Sequence, residues 1–221
     1  YGITVLPGVE ISACDAETGK KVHILGYGFK SADAINALCR PVAKARHENS
    51  LQKIKVLQKL GYKITEADVL PYAHKYIFKK HIVRYLFESG QEDKIFGNVY
   101  HKIFHGGGPG DFGIKYVNAA DAVKVITESG GKAVLAHPGQ QNNFEILPEL
   151  KKAGLWGIEL KHPVHNAYWQ KIVLQAAADY GLYCTGGSDC HGIYSEKYHA
   201  VGSNLCPSAA AEELLKQNKN S

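Results

Sequence analysis

Five short apolar runs stand out along the chain, at residues 3–6, 22–26, 133–136, 156–160 and 182–185. Apolar stretches of this length, bounded by glycine, proline or polar residues, are the size of buried strands. The last three recur about every 25 residues, which suits repeating strand-plus-helix units. Helical patterns fill the gaps. Asn118 is placed to cap a helix whose inward face is Ala122, Val123, Val125 and Ile126, stopped at Gly130-Gly131. Asn166 opens a second, with Trp169, Ile172, Val173, Ala176, Ala177 and Tyr180 on one face and Gly181 at its end. A terminal helix is expected over 209–216. Strands alternating with helices argue an α/β domain with parallel strands.

Residues 31–117 break this rhythm. Leu51, Ile54, Leu57 and Leu60 repeat at helical spacing before Gly61, Thr65-Glu66-Ala67-Asp68 reads as a capping box, and 80–88 is amphipathic. This stretch is expected to be a helical insert in a main domain made of residues 1–30 and 118–221. The loop His105-Gly106-Gly107-Gly108-Pro109-Gly110 returns from it.

The charge balance adds a modest constraint. A net charge of +5, from 26 Lys and Arg against 21 Asp and Glu, fits a small anionic substrate better than a long stretch of duplex nucleic acid. No stable duplex DNA partner is expected. No apolar run is long enough to span a membrane, and the first seven residues lack the charged and apolar regions of a signal peptide. Five scattered cysteines without a C-x-x-C pair argue against a disulfide framework and for a reducing cytoplasm.

The candidate chemistry lies at or just past the ends of the expected strands. Glu10 follows the first, His23 lies in the second, His137 follows the third, and Asp189 and His191 follow the fifth. Parallel strands that close on themselves gather such ends on one face. Imidazoles and carboxylates without thiolates suit divalent Zn, Mn or Fe, and a carboxylate can bridge two ions in a hydrolytic site. Each of these residues alone has an ordinary structural explanation; the shared placement carries the inference.

Four ordered motifs resemble the PHP (polymerase and histidinol phosphatase) superfamily. They are Pro7-Gly8-Val9-Glu10-Ile11-Ser12, His23-Ile24-Leu25-Gly26-Tyr27, Leu135-Ala136-His137-Pro138 and Gly186-Gly187-Ser188-Asp189-Cys190-His191-Gly192. The helical insert and Gly157-Ile158-Glu159 resemble its stand-alone phosphoesterase branch, which includes nucleoside 3′,5′-bisphosphate phosphatases and 5′-to-3′ exoribonucleases. The resemblance implies a distorted (β/α)7 barrel, here lacking its first strands, with up to three divalent ions. It implies that Glu10 bridges two ions, that His23 and His137 complete one of them, and that Asp189 and His191 serve a second and a third. The family's opening H-x-H motif, an Asp soon after it and a later Asp-His pair have no counterpart in these 221 residues. One ion therefore has a full set of ligands and the others do not.

The activity implied is metal-dependent hydrolysis of phosphate esters of nucleotides or short RNA. The alternatives are a histidinol-phosphate-type phosphatase and a degenerate PHP module that binds without turnover. Lys79-Lys80-His81 sits where the branch has Arg-Pro-His, so Lys79 and His81 are candidate phosphate contacts. His165, with His162, follows the fourth strand and is a candidate substrate contact. Arg46 and Arg84 lie on charged helical faces, where solvation is the default. The His105-Gly106-Gly107-Gly108 run resembles an esterase oxyanion loop, but no G-x-S-x-G elbow accompanies it.

Overall fold

The computed structural model describes residues 3–219. Among them are strands β1 (Gly8–Cys14), β2 (Lys21–Tyr27), β3 (Val117–Asn118), β4 (Lys132–Leu135), β5 (Gly157–Lys161) and β6 (Tyr183–Gly186). The α-helices are α1 (Asp33–Lys59), α2 (Glu66–Val69), α3 (Lys79–Glu88), α4 (Ala119–Glu128), α5 (Pro138–Gln141), α6 (Leu147–Lys152), α7 (Ala167–Tyr180) and α8 (Ser208–Lys219). The chain divides into two compact units. One comprises residues up to Cys39, Tyr116–His191 and the chain from Lys197; the other comprises Arg40–Lys115 and Gly192–Glu196.

The first unit is built on one mixed sheet in the order β3-β1-β2-β4-β5-β6. It is open, with β3 and β6 at its edges, and no closed barrel forms among the described residues. Two expectations are corrected here. Residues 3–6 are not a strand, and Ile3 and Val5 are 77% and 79% exposed. Pro7 has no N–H to give a ladder, and pairing starts one residue later at Gly8 opposite Tyr27. Glu10 therefore lies inside β1 rather than beyond a strand end.

The second correction concerns direction. β2 runs antiparallel to both β1 and β4, while β1 pairs parallel with β3, β4 with β5, and β5 with β6. Only residues 15–20 join β1 to β2. A parallel pair needs a crossover of a dozen or more residues, so this connection can only be a hairpin. The turn is built locally: the Asp15 N–H donates to Lys20 O, and its carboxylate accepts from Glu17 N and from the Thr18 hydroxyl.

The helices begin and end as their sequences dictate. Asn118 caps α4 by accepting from Ala120 N at 2.7 Å, and Asn166 caps α7 by accepting from Trp169 N at 3.1 Å. Gly181 ends α7 in the left-handed conformation, at φ +57°. Ile11, Ala13, Val22, Ile24 and Leu135 of the sheet pack in one core with Ala122, Val123 and Ile126 of α4. Leu147, Leu150, Val173 and Ala177 extend this core under α6 and α7.

The second unit has its own core, where Ile54 and Leu57 of α1 meet Ile82, Val83 and Leu86 of α3. The Thr65 capping box forms, with Thr65 N donating to Asp68 and Asp68 N to Thr65 Oγ1. Buried Lys53 bonds the Gly110 carbonyl and sits over the rings of Phe104 and Phe112, at 5.2 and 4.8 Å. This fixes the end of the glycine-rich loop. A cleft of about 600 Å³ in this unit is lined by Phe87, Phe96, His101, Ile193 and Glu196, among others.

These packing roles predict measurable costs. Ile126→Ala, which empties a fully buried site, should cost about 2–5 kcal/mol. Asn166→Ala, which removes a cap, should cost about 1 kcal/mol. Urea denaturation followed by circular dichroism measures both, and equal costs would contradict the assignments.

Candidate metal centre

The alternation of side chains along β1 and β2 determines which residues reach the site. Ile11 and Ala13 of β1, and Val22 and Ile24 of β2, point into the core. Glu10 and Ser12, and His23, Leu25 and Tyr27, therefore occupy the opposite face. Glu10 pairs with Leu25 and Ser12 with His23, so Glu10 and His23 are diagonal neighbours within reach of long side chains. β4 brings the third group: Ala136 N donates to His23 O at 3.0 Å, and His137 follows immediately.

The three side chains converge. His23 Nδ1 is 2.8 Å from Glu10 Oε1, His137 Nε2 is 3.3 Å from the same oxygen, and the two ring nitrogens are 3.3 Å apart. Ligands of a tetrahedral ion with bonds of about 2.0–2.1 Å stand about 3.3–3.4 Å from one another. Among the described residues, this is the one group of three or more His, Cys, Asp or Glu side chains gathered closely enough to hold an ion. One carboxylate and two imidazoles are the donor types that borderline divalent metals take, so the residues fit such an ion.

Asp189 and His191 are not in this triad. Asp189 Oδ2 lies 3.4 Å from His162 Nε2, and the His191 ring faces the Asp189 carbonyl at 2.9 Å and its carboxylate at 3.6 Å. His191 is exposed. His165 is buried with both nitrogens on backbone, Nδ1 against Leu160 O at 3.1 Å and Nε2 accepting from Gly139 N at 3.1 Å. A Cβ on Gly139 would lie 2.8 Å from that ring, so glycine is what admits it. In the second unit, Lys79 Nζ is 2.6 Å from His105 Nε2 and 4.7 Å from the centre of the Tyr100 ring. His81 is buried, and its Nδ1 accepts from Phe78 N.

Glu159 and His162 matter more than the sequence suggested. Glu159 is 5% exposed, and its Oε2 accepts the His137 backbone N–H at 2.8 Å. A carboxylate inside the apolar run 156–160 was the available signal, because buried acids are rare unless partnered. His162 is buried, with Nδ1 accepting from Val164 N at 3.3 Å. That places its proton on Nε2, facing Asp189.

The electrostatics follow these contacts. Hydrogen bonds from His137 and then His23 hold the Glu10 carboxyl far below the usual carboxylate range, against the effect of burial. Burial pushes His137 down, but its bond to Glu10 and the charges of Glu10, Glu159 and Asp189 outweigh it, so the imidazole titrates above its ordinary value. His162 holds Asp189 low, whereas burial raises Glu159. The Tyr27 hydroxyl is pushed up by burial, then by Glu159, Cys206 and Glu10.

Similar proteins place this chain in a class. The chain is 41% identical, over 201 residues, to a phosphoribosyl 1,2-cyclic phosphate 1,2-diphosphodiesterase from Eggerthella lenta, covering 90% of this chain and 77% of that one. It is 30% identical, over 198 residues, to a 3′,5′-nucleoside bisphosphate phosphatase from Chromobacterium violaceum, covering 86% and 68%. A crystal structure from Bifidobacterium adolescentis, described as a candidate metal-dependent phosphoesterase, shares the fold. It superposes with a TM-score of 0.85 at 24% identity, over 98% of this chain and 77% of the other. No family model matches the chain. The class defined by these relatives is that of phosphoric ester hydrolases. Within it, the chain belongs to the stand-alone phosphoesterase branch of the PHP superfamily.

The coupled pair predicts a pH optimum of stability for the metal-free chain. Glu10, depressed on folding, contributes stability above about pH 4.3 that is lost as pH falls through its folded value. His137, raised on folding, contributes stability below about pH 6.5 that is lost as pH rises through its folded value. Melting temperature, followed in chelator, should therefore peak between about pH 4.5 and 6.5. Glu10→Gln should flatten that peak, and an unchanged profile would contradict the pairing.

Proposed function

We propose that this chain hydrolyses phosphate esters of small nucleotides or short oligonucleotides, with Glu10, His23 and His137 holding one divalent ion. The observation that carries the reading is the meeting of Glu10 Oε1 with two imidazole nitrogens, one of them 127 positions away along the chain. Such an ion supplies Lewis acidity to a phosphoryl oxygen and lets water act as a nucleophile at neutral pH. The ion is proposed as Mn, Zn or Fe, and Asp189 and His191 as ligands of further ions, up to three in all.

The chain's own groups do the rest. Glu10 stays ionised across the working range, so it remains a ligand and does not compete as an acid. His23 and His137 present one nitrogen each to the same point. Lys79 supplies a cation for a phosphate, with His105 beside it and Tyr100 beneath. The relatives act on a cyclic phosphate of phosphoribose and on a nucleoside bisphosphate, which share phosphate esters on a pentose. That is the substrate class proposed here. Five free cysteines suit a cytoplasmic setting, and no described helix is long and apolar enough to cross a membrane.

The test assays a phosphoribosyl 1,2-cyclic phosphate, a nucleoside 3′,5′-bisphosphate and a short 5′-phosphorylated RNA, with and without chelator. Hydrolysis of at least one should be chelator-sensitive. Glu10→Ala and His137→Ala should each lose more than the roughly 10–100-fold typical of removing an outer partner of a ligand. Lys79→Ala should raise KM more than it lowers kcat, because a positioning charge mostly contributes uniform binding. Chelator-insensitive turnover unaffected by the two alanine variants would overturn the proposal.

A further inference from the structure

We infer that β5 supplies two positioning residues, Glu159 and His162, which hold the flanking loops that carry His137 and Asp189. The inference rests on the metal reading above. It begins from the sheet order, since β5 lies between β4 and β6. His137 follows β4 and Asp189 follows β6, so the end of β5 has one of these residues on each side.

Both neighbours are strained. His137 has φ +24° and Asp189 φ +47°, two of only three non-glycine residues with positive φ among those described. Side-chain-bearing residues persist in such conformations only where their surroundings hold them. Glu159 Oε2 holds His137 through its backbone N–H, a charge-assisted bond in a buried setting. Its other oxygen is 3.5 Å from where a Cβ on Gly187 would stand, so the same carboxylate backs onto the loop leading to Asp189. His162, 3% exposed, points Nε2 at Asp189 Oδ2, and its ring lies 5.0 Å from that of His137.

Neither residue serves the fold in the obvious way. A buried carboxylate whose short bond is to a backbone amide is costly, and an apolar side chain in that strand would avoid the cost. Neither belongs to the cluster able to hold an ion. Glu159 commits an oxygen to His137 N, and His162 commits Nδ1 to Val164 N. What both do is fix where other side chains start from. Outer partners of this kind tune metal affinity.

The experiment measures Mn²⁺ affinity by electron paramagnetic resonance, together with melting temperature, on the full chain. Glu159→Leu should bind Mn²⁺ about 10–100-fold more weakly without a lower melting temperature. Glu159→Gln keeps an oxygen acceptor for the same N–H and should stay within about threefold of the parent. His162→Gln, which keeps a donor toward Asp189, should likewise bind better than His162→Phe. Leucine binding like the parent, or glutamine falling as far as leucine, would overturn the inference. So would a leucine variant that no longer unfolds cooperatively, because Glu159 would then be a folding residue. His137→Ala separates the two levels. If it binds Mn²⁺ as the parent does, the metal reading fails and the inference with it. If it alone loses binding, only the inference fails.

Discussion

The site depends on one geometric constraint, the two-residue period of an antiparallel pair. Each strand of the β1–β2 hairpin has a face buried against helices, and that face leaves no freedom for the other. Burial of Ile11, Ala13, Val22 and Ile24 obliges Glu10 and His23 to share the opposite surface. A slip of one residue in either strand would exchange a core side chain for a ligand candidate. The hydrophobic effect, which selects no chemistry, therefore enforces the register that brings a carboxylate to an imidazole.

What the sequence made legible was local. The caps at Asn118, Thr65 and Asn166 bond backbone within three residues of themselves, so their own segments contain the whole signal. Four of the five apolar runs are strands for the same reason. Glu10, His23 and His137 were legible as types in ordered motifs, and the fold brings them together. The direction of β2 was not legible, because it turned on where β1 begins. A start at Gly8 leaves six residues to the next strand, whereas a run at residues 3–6 left room for a crossover.

Histidine shows the remaining limit. His165 and His137 both follow strand ends and both are buried, yet one gives both nitrogens to backbone and the other gives Nε2 to the triad. Nothing near His165 in the sequence announces that Leu160 O and Gly139 N will flank it. The second of these is 26 positions away. Roles of this kind are decided by tertiary partners. Glu159 was open to view as a charge in an apolar run, but its partner is a backbone amide, and amides carry no mark in a sequence.

The division of the chain has a consequence for its synthesis. The unit of Arg40–Lys115 is completed by Gly192–Glu196, so 76 residues intervene between its parts. A ribosome delivering the chain from its N-terminus releases Phe87, Phe96 and His101 well before Ile193 and Glu196 exist to line the same cleft. At ordinary elongation rates of about 5–20 residues per second, that interval is several seconds. Throughout it the cleft has one wall and lacks the residues that line it from the later segment. A strand- or helix-breaking change in the intervening residues would delay completion of the cleft without touching its lining.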